Sequence, residues 1–392
     1  MSRLVVWSRF PGIFEESRTT RHYSHLRCIG GFAIHEARTG GYSDLVIYDP
    51  YVEDPDKDDW LVLPSEPQVP ENSDLGLLRR AYPQFSFSPV KTLNKEDTLL
   101  VCYFSYFFKP DNFAKDLEGL RELVRGIDGY IYAESDAEPL FLEGSLRIFK
   151  QQQYYPHPEC TLLAHLSRNT EDPLRKKIQK IYTASAGAYH SEVVRAFPEI
   201  EVRHKPFLMP KSDLPLVDAY SERKYDLVLM KWLKEWHVHL SKITTPTKIL
   251  SLDNTGLLKK RAQAIKGEGV HSLDLVPLRP GQRQHEIHDL LADCKMLATS
   301  ALMDGSIFDW NTAKLFESYY GGCFSVHTYP NKYSEFLLEG LPKDLIVQED
   351  WNLTRAISCL QSFSDKDYAE SISQYRKNIE RYIREDNYQP LF

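Results

Sequence analysis

Short apolar runs alternate with amphipathic stretches along most of this chain of 392 residues. The runs are bounded by turn residues or by charge, and the stretches between them have helical spacing, as at residues 112–124 and 190–197. Parallel strands are buried on both faces and alternate with helices, so the pattern predicts a parallel α/β sheet. The predicted strands of this first unit are residues 4–7, 44–48, 98–103, 129–133 and 180–184.

The alternation stops at a polar, Pro-containing segment, residues 206–224, and restarts after it. We therefore predict two tandem Rossmann-like domains, residues 1–215 and 222–365, with a cleft between them. A charged helix with an apolar stripe follows, and residues 366–392 are predicted to pack back on the first domain. The strands predicted for the second domain are residues 225–230, 248–252, 271–276, 296–299, 323–326 and 344–347, and the helices are 284–294, 311–320 and 351–363.

The charge balance limits the partners of such a chain. Its 48 Lys and Arg against 55 Asp and Glu give a formal net charge of −7. This charge disfavours a general attraction to nucleic acid or to an anionic membrane, but it leaves room for a local basic groove. No apolar run is long enough to span a bilayer, and the first ten residues lack the apolar core of a signal peptide. We expect a monomeric, cytoplasmic protein.

The cysteines and histidines do not form a metal-binding pattern. The six cysteines include no C-x-x-C pair, so they are predicted to be reduced core residues, neither disulfides nor zinc ligands. His237 and His239 are two residues apart, which does not suit a helical zinc pair. The acidic segment 53–59 lacks the glycine and the terminal glutamate of a calcium loop and is predicted to be a solvated loop. The sequence therefore predicts no metal site.

One strand–loop–helix segment, residues 298–326, carries a candidate phosphate site. After the predicted strand, a polar loop leads to a helix that starts near Asn311 or Thr312 and ends at two glycines. The first turn of a helix exposes unpaired N–H groups and a partial positive charge. The turn that begins at Trp310 is therefore predicted to hold a phosphate.

Lys314 and Glu317 are three residues apart and share one face of this predicted helix. A cation for the phosphates and a carboxylate for the ribose hydroxyls are what a nucleoside diphosphate requires. From the spacing alone, the two residues could equally form a surface ion pair on an ordinary helix.

The order of strand, loop, Asn-Thr-x-Lys-x-Phe-Glu helix, Gly-Gly and strand resembles the donor-nucleotide segment of GT-B glycosyltransferases. Within that superfamily the layout is most similar to that of the DNA β-glucosyltransferases of T-even phages. The resemblance implies a nucleotide-sugar co-substrate, UDP-linked, with Lys314 at the pyrophosphate and Glu317 at the ribose. It implies no obligatory cofactor, and a divalent metal is allowed but not required.

The same resemblance extends to weaker motifs. It matches residues 225–233 to the first strand of the donor domain and its loop, which makes Lys231 a second phosphate candidate. This loop lacks the usual glycines, and a surface lysine is the alternative. Ser185 and Gly187 follow another predicted strand, fit the rim of the interdomain cleft and are further donor-binding candidates.

An apolar strand stands directly before two carboxylates, Glu134 and Asp136. A carboxylate at a strand end that faces the cleft can serve as the general base that deprotonates an attacking hydroxyl. Asp136 aligns with the strand-end aspartate base of the resembling enzymes and is preferred, with Glu134 as the alternative. A capping or turn role for Asp136 stays open.

The loop after the first strand leads to a predicted helix and contains Ser17, Arg18 and Thr19. In the resembling enzymes this loop and helix start contact the donor sugar or the acceptor. Ser17 or Thr19 could equally be a plain N-cap.

The acceptor implied by the layout is a hydroxymethylated pyrimidine in double-stranded phage DNA. Such an enzyme needs a local basic surface, for which a solvated charged face is the alternative. The candidate clusters are residues 175–177 with Lys180, Arg203 with Lys205, and residues 259–261. A glycosyltransferase of a cell-surface glycan, a nucleotide-sugar epimerase and a non-catalytic sugar-binding protein are the other functions considered.

Overall fold

The computed structural model describes the chain in separate ranges, and every structural statement below concerns these ranges. They are residues 2–8, 23–48, 79–103, 110–134, 162–183, 188–206, 208, 223–229, 240–253, 270–277, 289–299, 314–327, 339–345 and 353–383.

The first sheet has seven strands, all parallel to their neighbours, in the order β3-β2-β1-β4-β5-β6-β7. Its inner strands are nearly continuous runs of buried apolar residues, as in sheets that are covered on both faces. The strands are β1 Arg3–Ser8, β2 Asp44–Tyr48, β3 Pro89–Val90, β4 Thr98–Tyr103, β5 Tyr130–Glu134, β6 Ile178–Thr183 and β7 Glu201–His204.

Helices follow most strands of this sheet and contribute apolar residues to the first core. Helix α1 follows β1 and packs its Phe32 ring edge-on against Tyr182 of β6, with ring centroids 4.8 Å apart. The helices are α1 Tyr23–Thr39, α2 Pro110–Arg125, α3 Leu162–Arg168, α4 Pro173–Lys176 and α5 Ala188–Ala196.

The second sheet has five parallel strands in the order β10-β9-β8-β11-β12. Its strands are β8 Leu227–Leu229, β9 Thr247–Asp253, β10 Val270–Pro277, β11 Met296–Thr299 and β12 Phe324–His327. The helices around it are α6 Lys314–Gly321, a short 3₁₀ helix Lys343–Leu345, α7 Thr354–Gln361 and α8 Asp365–Ile383.

The predicted fold class, two Rossmann-like α/β domains in tandem, is confirmed. The change from one sheet to the other falls between His204 and Leu227. Most of the predicted boundary segment, 206–224, lies outside the described residues.

Two short edge strands and one helical turn differ from the prediction. Strand β3 has two residues, and β7 reads Glu-Val-Arg-His with only partial burial, so neither forms an apolar run. A strand was expected at 344–347, but Lys343–Leu345 is a 3₁₀ helix, in which the Leu345 N–H donates to the Pro342 carbonyl at 3.1 Å. Residues 346 and 347 are outside the described part of the chain.

Helix α8 belongs to the second domain, and the prediction that it packs back on the first is wrong for Asp365–Ile383. Its apolar stripe, with Ile372 and Ile379, is buried in the core of the second sheet. The Phe324 ring of β12 lies 5.5 Å from the Tyr368 ring and 5.3 Å from the Tyr375 ring. The stripe indicated that one face of this helix is covered, but periodicity does not identify the covering surface.

Four cysteines are described as free thiols. Cys102, Cys294 and Cys323 are buried in the core, as predicted, whereas Cys359 on α7 is only half-buried. Burial raises the pKa of Cys102 and of Cys323 to about 12, so both remain protonated at neutral pH. Among the described helices, none is long and apolar enough to cross a bilayer.

Candidate functional site

The order of strands reverses at one point in each sheet, and such switch points are where doubly wound folds bind ligands. The reversal lies between β1 and β4 in the first sheet and between β8 and β11 in the second. Strands β8 and β11 are paired, with Leu229 opposite Ala298, so the carboxyl ends of these two strands lie side by side. The loops predicted to carry the donor phosphates are those that follow these two adjacent strand ends in the sequence.

The candidate residues on these loops are outside the described ranges: Lys231 after β8, and Trp310, Asn311 and Thr312 after β11. Lys314 is the first residue of helix α6, but its side chain is outside what the structure describes.

Glu317 lies in the first turn of α6 and is only 5% exposed. The partial positive charge of a helix N-terminus stabilises a carboxylate in this turn. Burial is the main cause of the raised pKa of the Cys323 thiol, and the negative charge of Glu317 also contributes to it. A buried carboxylate does not fit the alternative of an ordinary surface ion pair.

The two glycines that end α6 have separate structural reasons. Gly322 has a φ of +64°, the left-handed conformation that commonly terminates helices. A Cβ on Gly321 would lie 2.5 Å from the Cβ of Leu291, so only glycine fits this close approach. Helix α6 can therefore end next to the core and lead directly into β12.

Helix α8 holds α6 through polar side chains that sequence reasoning did not identify. The Tyr375 hydroxyl lies 2.9 Å from Ser318 Oγ and accepts from the Ser325 N–H at 3.0 Å. Arg376 Nε donates to the Tyr319 carbonyl at 2.8 Å, and the Tyr319 hydroxyl donates to Glu380 at 2.6 Å. Burial lowers the pKa of Arg376. The only sequence signal for this contact was that Tyr375 lies on the apolar stripe of α8.

A second group of polar residues lies at the carboxyl edge of the first sheet. Glu134 is the last residue of β5 and is fully buried. Thr183, the last residue of β6, is also fully buried, and its Oγ1 lies 2.7 Å from His190 Nδ1. Burial lowers the pKa of His190, which favours a neutral imidazole at pH 7. Asp136, Ser185 and Gly187 follow these strands but are outside the described residues.

Helix α1, after the first strand, begins at Tyr23 and contacts helix α6 of the second domain. Ser17, Arg18 and Thr19, in the loop predicted to precede this helix, all lie outside the described ranges. The contact brings together the helices that follow the switch-point strands β1 and β11.

Side chains of two predicted basic clusters make contacts within the first domain. Arg175 is buried and donates to Glu199 and to the Leu166 carbonyl, both at 2.9 Å. Lys205 is also buried. The prediction that both belong to an exposed basic surface is therefore wrong.

The neighbouring basic residues have acceptors within the domain as well. Lys177 donates to the carbonyls of Val124 and Ile127 near the end of α2, at 2.6 and 2.8 Å. The remaining described members pair with carboxylates: Lys176 with Glu171, Lys180 with Glu36, and Arg203 with Glu201. Residues 259–261 lie outside the described residues.

In the described ranges, no group of three or more His, Cys, Asp or Glu is arranged to hold a metal ion. His237 and His239 are not among those residues.

No family model matches this sequence, and no curated protein matches it. Solved structures match its fold. Sucrose-phosphate synthase from Thermosynechococcus elongatus is 9% identical, with 98% of this chain and 96% of that chain covered and a TM-score of 0.55. An α,α-trehalose-phosphate synthase (UDP-forming) from Burkholderia vietnamiensis is 10% identical, with 98% and 97% covered and a TM-score of 0.50. The two parallel sheets and the near-complete coverage establish that this chain has the two-domain GT-B fold.

Proposed function

We propose that the protein is a glycosyltransferase that moves a sugar from a nucleotide-sugar donor to a hydroxyl acceptor. The observation that carries the proposal is the buried Glu317, in the first turn of the helix after the second switch point of a GT-B fold. Both similar enzymes are sugar-phosphate synthases by name, and the name of one includes UDP formation. We therefore take a UDP-linked sugar as the first donor to test.

The donor would bind mainly to the second domain. Lys314 and Lys231 supply positive charge to the diphosphate, and the N–H groups of the turn at Trp310, Asn311 and Thr312 donate hydrogen bonds to it. The Glu317 carboxylate accepts hydrogen bonds from the ribose hydroxyls. Helix α6 would thus contact both the diphosphate and the ribose.

The acceptor would enter from the first domain, near the loop with Ser17, Arg18 and Thr19. Ser185 and Gly187, on the rim of the cleft, are further candidates for contact with the donor. A carboxylate takes the proton of the acceptor hydroxyl while the oxygen of that hydroxyl bonds to the anomeric carbon of the donor sugar. The bond from that carbon to the diphosphate oxygen breaks, and the nucleoside diphosphate leaves with the bonding electrons. The cationic side chains at the diphosphate stabilise the charge that develops there.

Asp136 is our first choice for this base, and Glu134 is the alternative. Asp136→Asn keeps the size of the side chain but removes the proton acceptor, so transfer should fall about 10²–10⁴-fold while donor binding stays unchanged. Full activity of Asp136→Asn together with the same loss in Glu134→Gln would assign the base to Glu134 instead.

A donor screen tests the proposal as a whole. UDP-, GDP- and CMP-linked sugars are incubated with the protein, with and without acceptor mixtures, and the released nucleotide is measured. Acceptor-dependent release is the expected result. An altered nucleotide sugar without any acceptor would instead indicate an epimerase, and binding without turnover would indicate a sugar-binding protein.

The DNA acceptor rests on the layout resemblance alone, and the internal use of Arg175, Lys177 and Lys205 gives it no support. Its test is transfer to a duplex that contains hydroxymethylated pyrimidines, followed by mass spectrometry at rising salt. A DNA acceptor predicts transfer that falls steeply with salt, because phosphate contacts release counterions. Transfer only to a saccharide or lipid-linked glycan, insensitive to salt, would favour a cell-surface glycan as the acceptor.

A further inference from the structure

Helix α6 is short for an element that must hold a ligand in place. It has eight residues, about two turns, and helices of this length are not stable on their own in water. Its position must therefore come from tertiary contacts. Among the described residues, α8 supplies polar contacts to its body: Tyr375 to Ser318, Glu380 to the Tyr319 hydroxyl, and Arg376 to the carbonyls of Tyr319 and Tyr320.

Tyr375 joins three elements with one hydroxyl. Its ring is in the core of the second domain, and the hydroxyl contacts Ser318 of α6 and the Ser325 N–H of β12. Burial raises the pKa of Tyr375 well above its ordinary value, so the hydroxyl stays protonated. Both contacts are buried, and loss of a buried hydrogen-bond partner leaves the remaining group without compensation.

Ser318 is the residue after Glu317, so the Tyr375 contact lies one position from the carboxylate assigned to the ribose. A shift of α6 along or about its axis would move Glu317 and the first turn of the helix together. Binding sites tolerate displacements of only about half an ångström when their geometry is preset.

We propose that Tyr375 is a positioning residue for the nucleotide: its hydroxyl fixes α6 to β12 and α8 and so presets Glu317 and the first turn of α6. This inference rests on the proposed function, because it assumes that the nucleotide binds at α6. Tyr375 itself contacts no ligand in this account. Helix α8 would therefore influence donor binding by positioning α6, without contacting the donor itself.

The test compares Tyr375→Phe with Tyr368→Phe. Tyr368 is a matched control because it is buried on the same helix but its hydroxyl contacts neither Ser318 nor Ser325. It donates to the carbonyl of Lys295, before β11, and to that of Gly322, the residue directly after α6. Nucleotide dissociation constants are measured by calorimetry, and hydrogen exchange is followed at the amides of residues 314–321. We expect Tyr375→Phe to weaken nucleotide binding roughly tenfold and to speed exchange in α6, and Tyr368→Phe to change the affinity less than about twofold.

Equal affinity and equal exchange in folded Tyr375→Phe would overturn the positioning role while leaving the proposed function intact. The failure of wild-type protein to bind any nucleotide would instead overturn the proposed function, and this inference with it. Should Tyr375→Phe unfold, Ser318→Ala removes the same contact from the α6 side. Unchanged affinity in that variant would also overturn the proposal.

Discussion

Gly321 and Gly119 differ in whether the surrounding structure leaves room for a side chain. Gly321→Ala would bring a Cβ to 2.5 Å from Leu291, whereas a Cβ on Gly119, inside α2, meets nothing within 4 Å. We expect Gly321→Ala to destabilise the protein by about 1–3 kcal/mol through overpacking. Gly119→Ala should stabilise it by up to about 1 kcal/mol, since alanine is the better helix former. Urea unfolding measures both, and equal effects would contradict this account of Gly321.

Asp172 connects three elements of the first domain through its buried carboxylate. It accepts from Arg121 of α2 at 2.6 Å, from His165 Nε2 of α3 at 3.1 Å and from the Leu174 N–H of α4 at 2.9 Å. Burial raises the pKa of Asp172, but these hydrogen bonds outweigh burial and leave the pKa below its ordinary value.

A carboxylate with a lowered pKa stabilises the folded state above its ordinary pKa, and this stability is lost as the pH falls through the folded pKa. Asp172→Asn should therefore cost about 1–3 kcal/mol near neutral pH through loss of the charged hydrogen bonds with Arg121 and His165. The amide oxygen of asparagine can still cap α4. The difference from wild type should shrink as the pH is lowered from about 5 to 2. Guanidinium unfolding at several pH values measures it, and a difference that does not depend on pH would contradict the assignment.

At the residue scale, sequence predicted some side chains and not others. The sequence pattern of strand, loop and helix placed a carboxylate near the start of a helix. Glu317 lies in the first turn of α6, as this pattern indicated, and is buried. The role of Tyr375 was not recognisable, because its partners Ser318 and Ser325 are 57 and 50 residues away along the chain. Arg175 and Lys205 looked like surface charge, since the local pattern does not reveal that a distant segment covers them.

At the scale of elements, the inner strands were predictable because their burial on both faces makes them continuous apolar runs. Strands β2, β4 and β11 begin and end at the predicted residues. Edge strands such as β7 carry charged residues and lack this signal. For α8 the buried face was predicted correctly, but the domain that covers it was not. The apolar stripe of a helix indicates which face is buried and does not indicate which sheet covers that face.

The assignment of α8 to the second domain is open to a direct test. Ile372 is buried on the stripe, and Ile372→Ala should cost about 2–5 kcal/mol through the cavity it leaves. Ser373 is exposed, and Ser373→Ala is the matched control, with a change within about 0.5 kcal/mol. In hydrogen exchange, Ile372→Ala should loosen α6, β11 and β12 first. Faster exchange in the first sheet alone would indicate that α8 packs on the first domain and would contradict this assignment.

At the scale of the whole molecule, the alternation of strands and helices was enough to predict two parallel sheets in tandem. Their switch points follow from strand order, which sequence alone does not give, and the one in the second sheet lies between the paired strands β8 and β11. The account therefore depends on a nucleotide binding at that switch point, with Glu317 as the first residue after the predicted phosphate turn whose side chain the structure describes.

Calorimetric titration of a UDP-linked sugar into wild type, Glu317→Ala and Glu370→Ala tests this claim most directly. Glu370 is an exposed carboxylate on α8 and serves as the control. The account predicts that wild type and Glu370→Ala bind alike and that Glu317→Ala binds more weakly by roughly 1–3 kcal/mol, because charge-assisted hydrogen bonds to the ribose are lost. Equal affinity for all three, in a Glu317→Ala protein that is folded, would contradict it.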